Sequence, residues 1–264
     1  MLELLQYEFM QRALLGGLLI GVTSSLIGVF LVLKRLSLLG DSFAHASFGG
    51  IALGFVLGWN PLLTAFGFVT LASLGIDRLI NKIKLYGESA IALLLSFGMA
   101  FALLLIGAAD KIDTNIFSYL FGSLLTINFF DIILTLCVLL LVIIFYYFNY
   151  KKLFYSAFNR DIALIRNKHT ETIDKIFIVL AAITIVVSIR AVGILLISAL
   201  LVVPALIGLR LATSLKNTLY IAMISSVLGI YLGIFISYYF DLPTGGTIVM
   251  SLLFLFLLTL FIKK

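Results

Sequence analysis

The sequence has few charged residues for its length. Of its 264 residues, 11% are charged and 63% are hydrophobic, and the mean hydropathy is +1.24. A soluble globular chain contains about 25% charged and about 45–50% apolar residues, so this composition excludes an ordinary soluble domain. Several apolar stretches approach or exceed the roughly 18 residues of a membrane-spanning helix. We therefore predict an all-α, polytopic membrane helical bundle in which residues 1–264 form a single transmembrane domain.

Cysteine, histidine and nucleotide-binding motifs are equally scarce. The one cysteine, Cys137, lies in an apolar run, which excludes a disulfide framework and a cysteine-based metal site. The sequence contains no GxxxxGK[S/T] phosphate-binding loop. If ATP drives this protein, a separate subunit must bind it. The chain has only two histidines, His45 and His169.

Apolar segments predict about eight or nine transmembrane helices. They are residues 13–33, 42–58, 61–80, 89–108, 128–149, 176–190, 193–211, 218–240 and 247–262. The segment 112–125 is too short and too polar to cross a bilayer. We expect a short interfacial or re-entrant helix there.

The distribution of lysine and arginine predicts the orientation of the chain. If the N-terminus lies outside and the C-terminus in the cytoplasm, all but Arg12, Lys111 and Arg190 of the 18 basic residues lie on the cytoplasmic side. The opposite orientation would reverse that bias and violate the positive-inside rule. The net charge of +6 therefore reflects topology in a bacterial plasma membrane, and nothing in the sequence indicates nucleic-acid binding.

The stretch GDSFAHASFGG, residues 40–50, places an acid and a histidine inside a predicted span. Asp41 and His45 are four residues apart, so their side chains share one face of a helix. An ionisable residue within a membrane is expensive and is by default a functional-site hypothesis. A carboxylate with a neutral imidazole suits Zn²⁺, Mn²⁺ or Fe²⁺. One such pair is a weak site, which a transport pathway requires.

Two other interpretations of this stretch stay open at this point. Asp41 could be the N-cap of the second span, with His45 hydrogen-bonded in the bundle interior. The letters GDS also open the nucleophile block of one class of esterases, which would make Ser42 a nucleophile. The base would then be His45, too close along one helix, or His169, in a cytoplasmic loop.

The largest predicted cytoplasmic segment covers residues 151–175. It contains a short amphipathic helix, roughly 159–167, in which Ile162, Ala163 and Ile165 are apolar among charged residues. Such a helix can lie in the membrane interface. It is also what a membrane subunit needs to dock onto a cytoplasmic motor.

Two charged residues are candidates for the outer part of a pathway. Arg190 lies alone at the outer end of the sixth span, where it is either a snorkelling anchor or a pathway residue. Asp241 lies in the last outer loop, FDLPTGGTIVM, at the external mouth.

Five stretches, in order along the whole chain, resemble the integral-membrane permeases of the ABC-type zinc/manganese/iron uptake family, the cluster-9 or ABC-3 permeases. They are KRLSLLGDSFAHASFGGIALG, SYLFGSLL, the loop around RDIALIRN, VGILLISALLVVPA and DLPTGGTIV. The first and fourth are the most specific. The resemblance implies an ABC importer permease fold and a non-enzymatic subunit that moves divalent transition-metal ions into the cytoplasm.

The resemblance also implies partners and residue roles. Family members are homodimers driven by two cytoplasmic ABC ATPases, which bind the ATP, and they receive metal from an extracytoplasmic metal-binding protein. Asp41 and His45 match the pathway ligands, and no permanently bound cofactor is implied. The coupling helix that contacts the ATPase matches residues 159–168, with Arg160, Asp161, Ile162, Ala163, Ile165 and Arg166 as its candidate contacts. Many relatives carry a glycine where this chain has Arg166-Asn167, which affects the docking geometry.

Two alternative transport functions remain. A permease for a metal chelate such as a siderophore or cobalamin has a wide pathway that needs no bare-ion ligands, so Asp41 and His45 argue against it. A proton-coupled secondary carrier normally has acids in several spans, whereas we place only Asp41 deep in this one. The choice among zinc, manganese and ferrous iron is open, because geometry and partner proteins set selectivity.

Overall fold

The computed structural model describes residues 6–109, 119–122, 124, 127–158, 163, 169–194 and 196–261. Within these residues the chain is helical, which confirms the predicted all-α class. The helices are α1 (Glu8–Leu33), α2 (Leu39–Leu57), α3 (Pro61–Asn81), α4 (Gly87–Ala108), α5 (Phe129–Phe158), α6 (Thr170–Val192), α7 (Ile197–Leu211), α8 (Leu215–Phe240) and α9 (Thr244–Phe261).

Each apolar segment of the sequence corresponds to one of these helices. All of them except α2 and α7 are long and apolar enough to cross a membrane. The 15-residue α7 is short for a span, and polar side chains lower the hydropathy of α2. The count of about eight or nine helices is therefore confirmed, and the chain is a multi-pass membrane protein.

Several predicted boundaries were wrong because hydropathy does not detect polar helical turns. α5 continues nine residues past the predicted end at 149, to Phe158, and α6 begins at Thr170 instead of 176. The segment predicted as 193–211 becomes helical only at Ile197. The reason is Gly193, whose φ of +88° ends α6 in a conformation that a helix cannot continue.

The helices alternate in direction, so that one end of the bundle collects basic residues. This basic end includes Lys34 after α1, Arg78 in α3, Lys152 in α5 and Lys216 in α8. One ion pair agrees with this arrangement, because Lys34 at the end of α1 reaches Asp174 near the start of α6. The two ends of the described chain therefore lie on opposite sides of the bundle, and the side that faces the cytoplasm remains a prediction from charge.

Glycine lets the backbones of neighbouring helices approach closely. A Cβ on Gly28 of α1 would lie 1.9 Å from the carbonyl oxygen of Leu201 in α7. A Cβ on Gly233 of α8 would lie 2.5 Å from the Cα of Ile248 in α9. Small residues at helix crossings are the usual means of tight packing in membranes. They place α1 at the centre of the bundle, against α5, α6, α7 and α8.

Three motifs that are separate in sequence meet at the end opposite the basic end. Gly122, with φ of +63°, packs backbone to backbone against Gly193, because a Cβ on Gly122 would lie 2.2 Å from the Gly193 nitrogen. A Cβ on Gly245 would lie 2.8 Å from the carbonyl oxygen of Val192. Residues 119–121 are helical and the rest of the predicted re-entrant segment is only partly described. This glycine junction anchors residues 119–122 to the start of α7.

Candidate functional site

Helix α2 presents one open face in its first half. From Leu39 to Ala52 every residue is buried except Asp41 and His45, which are partly exposed. Both are in the same helix, one turn apart. The structure therefore brings together the two residues that the sequence predicted as a site.

Asp41 is not the N-cap of α2. That position is Leu38, whose side chain forms no capping hydrogen bond, and Asp41 is the third residue of the helix. The alternative that Asp41 serves as a helix cap was therefore wrong. A carboxylate in the first turn does complement the helix dipole. Within the described part of the chain, the Asp41 carboxylate forms no hydrogen bond or ion pair.

The imidazole of His45 has an unsatisfied ring nitrogen. Its Nδ1 is buried and lacks a hydrogen-bond partner among the described residues. A buried polar group without a partner costs about 1–3 kcal/mol, so such an atom calls for an explanation. A metal ion, a water molecule or a group from a second chain could supply the missing interaction.

Backbone contacts hold α2 in place around this pair. A Cβ on Gly98 of α4 would lie 2.7 Å from the Ala46 nitrogen and 2.8 Å from the His45 carbonyl carbon. On the other side, a Cβ on Gly50 would lie 2.7 Å from the Cα of Ala65 in α3. Close backbone packing on two sides leaves α2 little freedom, so the side chains of Asp41 and His45 start from defined positions.

Ser42 has a structural role. It is fully buried, and its hydroxyl donates a hydrogen bond of 2.8 Å to the carbonyl oxygen of Ile91 in α4. A nucleophile must be within hydrogen-bond reach of a base and accessible to substrate. Ser42 is neither, which argues against the hydrolase interpretation.

The described residues of one chain do not form a complete metal site. In the described ranges, no group of three or more His, Cys, Asp or Glu side chains could hold a metal ion. Asp41 and His45 therefore supply at most two protein side chains as ligands in a single copy. Such a site binds a metal weakly unless other groups complete it.

Most of the predicted coupling residues lie outside the described residues. These are Arg160, Asp161, Ile162, Ile165 and Arg166. Ala163 is described and is 2% exposed, and its carbonyl oxygen accepts a hydrogen bond of 2.9 Å from the Thr170 hydroxyl. Ala163 therefore packs within its own chain, so a charge at this position would disturb the chain itself.

Arg190 forms an ion pair that the sequence analysis did not anticipate. Its guanidinium donates a hydrogen bond to Asp131 of α5, with 2.5 Å between Nη1 and Oδ1. The backbone nitrogen of Asn128 donates to the other Asp131 oxygen, at 3.1 Å. Asp41 is therefore not the only acid within the bundle, because Asp131 and Asp174 are both only 8% exposed; the expectation that it is the only one deep in the membrane stays a prediction. Unlike Asp41, both of these acids are paired.

Asp241 ends helix α8. It is the C-cap residue, it adopts a left-handed φ of 52°, and it is exposed at the end opposite the basic end. Asp is among the few non-glycine residues that tolerate this conformation. The local structure thus accounts for Asp241 without a ligand, and its pathway role stays a prediction.

Comparison with known proteins identifies the family. Residues 6–263 match the model of the ABC 3 transport family. The chain therefore belongs to the ABC 3 transport family. It is 32% identical to the manganese import system permease protein ScaB of Streptococcus gordonii, over 97% of this chain and 92% of that protein. It is 29% identical to the manganese transport system membrane protein MntC of Listeria monocytogenes, over 99% of this chain and 93% of that protein.

Solved structures share the fold. The PsaBC structure from Streptococcus pneumoniae, in complex with Fab, matches with a TM-score of 0.88 and 29% identity, over all of this chain and 95% of that chain. An inward-facing structure of a putative metal-chelate type ABC transporter matches with a TM-score of 0.76 but only 16% identity. The second match shows the fold alone. The predicted ABC importer permease fold is confirmed.

Proposed function

We propose that this chain is the permease subunit of an ATP-driven importer that moves divalent transition-metal ions into the cytoplasm. The observation that carries the proposal is the open face of α2, where Asp41 and His45 lie one turn apart. These are the side chains of α2 that could bind a bare ion. The similarity to permeases named for manganese supports it.

Manganese is the first candidate for the transported ion. A carboxylate oxygen is a hard ligand that suits Mn²⁺, and an imidazole nitrogen suits Fe²⁺ and Zn²⁺; the similarity to permeases named for manganese places Mn²⁺ first. Mn²⁺ is at the weak end of the Irving–Williams order, so it leaves a site of few ligands readily. Zinc and ferrous iron are the alternatives, and selectivity among the three depends on groups beyond this pair.

A second copy of the chain would complete the site. Asp41 and His45 of one chain supply two side chains, and the same residues across a dimer axis would supply four. Their partly exposed face of α2 is available for such a contact. We therefore propose a permease homodimer, with the pathway on its axis.

Energy and metal come from other subunits in this proposal. The sequence contains no phosphate-binding loop, so a cytoplasmic ABC ATPase dimer would hydrolyse the ATP. An extracytoplasmic metal-binding protein would deliver the ion to the end opposite the basic end. The ATPase would dock at the basic end, around residues 159–168.

In the pathway each side chain has a distinct task. The Asp41 carboxylate supplies negative charge that offsets part of the cost of bringing a divalent cation into the membrane. His45 binds only as a neutral imidazole, so protonation competes with the metal. Because each chain contributes few ligands, the ion remains exchangeable and can leave toward the basic end.

Uptake of radioactive Mn²⁺ by cells that carry single variants tests the proposal. Asp41→Asn keeps the shape of the side chain and removes its charge, and His45→Ala removes the imidazole. We expect each to reduce uptake at least about tenfold at normal membrane abundance, since loss of one of two ligands is worth more than ~1.4 kcal/mol, which corresponds to a factor of ten. Uptake by the wild type should also fall at acidic pH, where the imidazole is protonated.

Ser47→Ala is the matched control on the same helix. The Ser47 hydroxyl is buried and, among the described residues, donates only to the Phe43 carbonyl oxygen of α2 itself, at 2.6 Å. Its removal should leave uptake unchanged. Wild-type uptake by Asp41→Asn would exclude the carboxylate as a ligand, and nucleotide hydrolysis by the isolated chain would exclude a separate motor. Uptake of a siderophore or cobalamin instead of the free ion would favour the metal-chelate alternative.

A further inference from the structure

A buried polar network connects three helices at the basic end. The Lys34 ammonium donates to Asp174 Oδ1 at 2.5 Å and to Ser156 Oγ at 2.8 Å. The Ser156 hydroxyl lies 2.8 Å from both Asp174 carboxylate oxygens. We call Lys34, Ser156 and Asp174 the Lys34 network. It joins the end of α1, the last turns of α5 and the beginning of α6.

Burial makes this network a firm connection. The side chains of Lys34 and Asp174 are 9% and 11% exposed, whereas the Arg12–Glu8 pair on α1 is 42% and 81% exposed. If a buried ion pair separates, both charges lose their partner without gaining water, which is strongly unfavourable. An exposed pair separates at little cost. The three helix ends of the Lys34 network are therefore expected to move together.

Two residues of the network lie on either side of the proposed coupling segment in the sequence. Ser156 lies two residues before the end of α5, and Asp174 is the fifth residue of α6. Residues 159–168, to which we assign the coupling role above, lie between these two positions in the sequence. A displacement of this segment by the ATPase would act on the end of α5 and the start of α6, and therefore on the Ser156–Asp174 contact that joins them.

Lys34 connects the Ser156–Asp174 contact to the helix of the proposed metal site. It follows the last residue of α1, and α2 begins five residues later at Leu39. The turn between them is held by hydrogen bonds from the backbone nitrogens of Arg35 and Leu36 to carbonyl oxygens of α1, at 3.0 and 2.8 Å. Asp41 comes two residues after Leu39. A short, internally bonded turn transmits a displacement that a long loop would absorb.

We propose that the Lys34 network transmits movement of the ATPase-coupling loop to α2, and so to Asp41 and His45. Lys34, Ser156 and Asp174 are positioning residues for transport and do not contact the ion. The proposal rests on the coupling role given above to residues 159–168. It predicts that the network is needed for α2 to respond to nucleotide, whichever ion is transported.

The test measures that response directly in the permease–ATPase complex. Cys137 is replaced by Ser, and Leu38, which is 57% exposed beside α2, is replaced by Cys. A water-soluble maleimide then labels position 38 in the nucleotide-free and the ATP–vanadate-trapped complex. With the network intact, we expect the labelling rate to differ at least about fivefold between the two states, the lower range of ordinary allosteric coupling.

The main variant removes both charges of the network at once. Lys34→Met with Asp174→Asn leaves no unpaired buried charge, so the complex should assemble. We expect the nucleotide-dependent difference in labelling to disappear and metal uptake per ATP hydrolysed to fall, with hydrolysis retained. Lys175→Met is the matched control, because it removes an exposed lysine charge next to Asp174 and should change neither quantity.

The outcomes separate this proposal from the proposed function. A full labelling difference in the double variant, at normal assembly, would refute the link. So would a complex with the intact network in which nucleotide does not alter labelling at position 38. A complex that shows the labelling difference, loses it in the double variant and takes up no divalent metal would support the link and refute metal import.

Discussion

Replacing Gly98 by alanine tests how α2 is positioned. The new Cβ would lie 2.7 Å from the Ala46 nitrogen, whereas ordinary van der Waals contacts begin at 3.4 Å. Because the helices are closely packed, α2 and α4 must separate by about 0.7 Å, the difference between these distances. Asp41 and His45 move with α2. Since metal–ligand distances tolerate only about ±0.2 Å, metal binding should weaken.

Gly107→Ala is the matched control on the same helix. No atom lies within 4 Å of the position that its Cβ would occupy. Both substitutions replace glycine by a better helix former, a gain of up to about 1 kcal/mol, but only Gly98→Ala adds the ~1–3 kcal/mol cost of overpacking. The free energy of unfolding should therefore be lower for Gly98→Ala than for Gly107→Ala by about 1–3 kcal/mol.

Thermal unfolding of the two variants in detergent measures this difference. It corresponds to roughly 2–4 °C in Tm per kcal/mol for a chain of this size. Radioactive Mn²⁺ uptake should be reduced for Gly98→Ala and unchanged for Gly107→Ala at equal abundance. If the two variants are equal in both Tm and uptake, the α2–α4 contact does not position the pair.

Three further predictions follow from other features. Arg190→Gln removes the partner of Asp131, so it should lower the free energy of unfolding. The loss should be smaller than the ~3–5 kcal/mol of a fully buried pair, because Arg190 is one-third exposed. A pure pathway role would instead reduce uptake at unchanged Tm. With the predicted topology, Lys152→Cys should be labelled only from the cytoplasm and Leu242→Cys only from outside, and the reverse pattern would invert the orientation. Gly193→Ala should lower the yield of folded protein, because φ is +88° and a Cβ would lie 2.4 Å from the Phe121 carbonyl carbon. Gly246→Ala is the control: a Cβ there has open space, so the yield should not change.

Hydropathy predicted the spans well because each is a continuous stretch of apolar residues. It could not predict the polar turns that extend α5 to Phe158 and start α6 at Thr170. In those turns tertiary contacts, among them the bonds of Ser156 and Asp174, stabilise helix beyond the apolar segment. These two boundaries in error therefore lie next to the Lys34 network.

The Asp41–His45 pair could be predicted because both residues lie within one helical turn. The ion pairs could not, because their partners are far apart in sequence: 140 residues for Lys34 and Asp174, and 59 for Arg190 and Asp131. A count of basic residues assigns Lys34 to a cytoplasmic loop, yet it is largely buried. One signal could have suggested the Asp131–Arg190 pair. An acid lies at the start of one span, and a base lies at the end of the next span along the chain.

His45 differs from the other described residues whose buried polar atoms lack a hydrogen-bond partner. In the described part of the chain, the buried side-chain atoms without a partner are His45 Nδ1 and the hydroxyls of Thr184, Ser226 and Ser251. A hydroxyl rotates, and in a helix it can bond a carbonyl oxygen of the preceding turn. An imidazole nitrogen has a fixed direction on its ring and lacks this local remedy. His45 therefore keeps a deficit that packing within the described chain does not remove, on the same open face of α2 as the Asp41 carboxylate, and for this reason we place the proposed metal pathway at this pair.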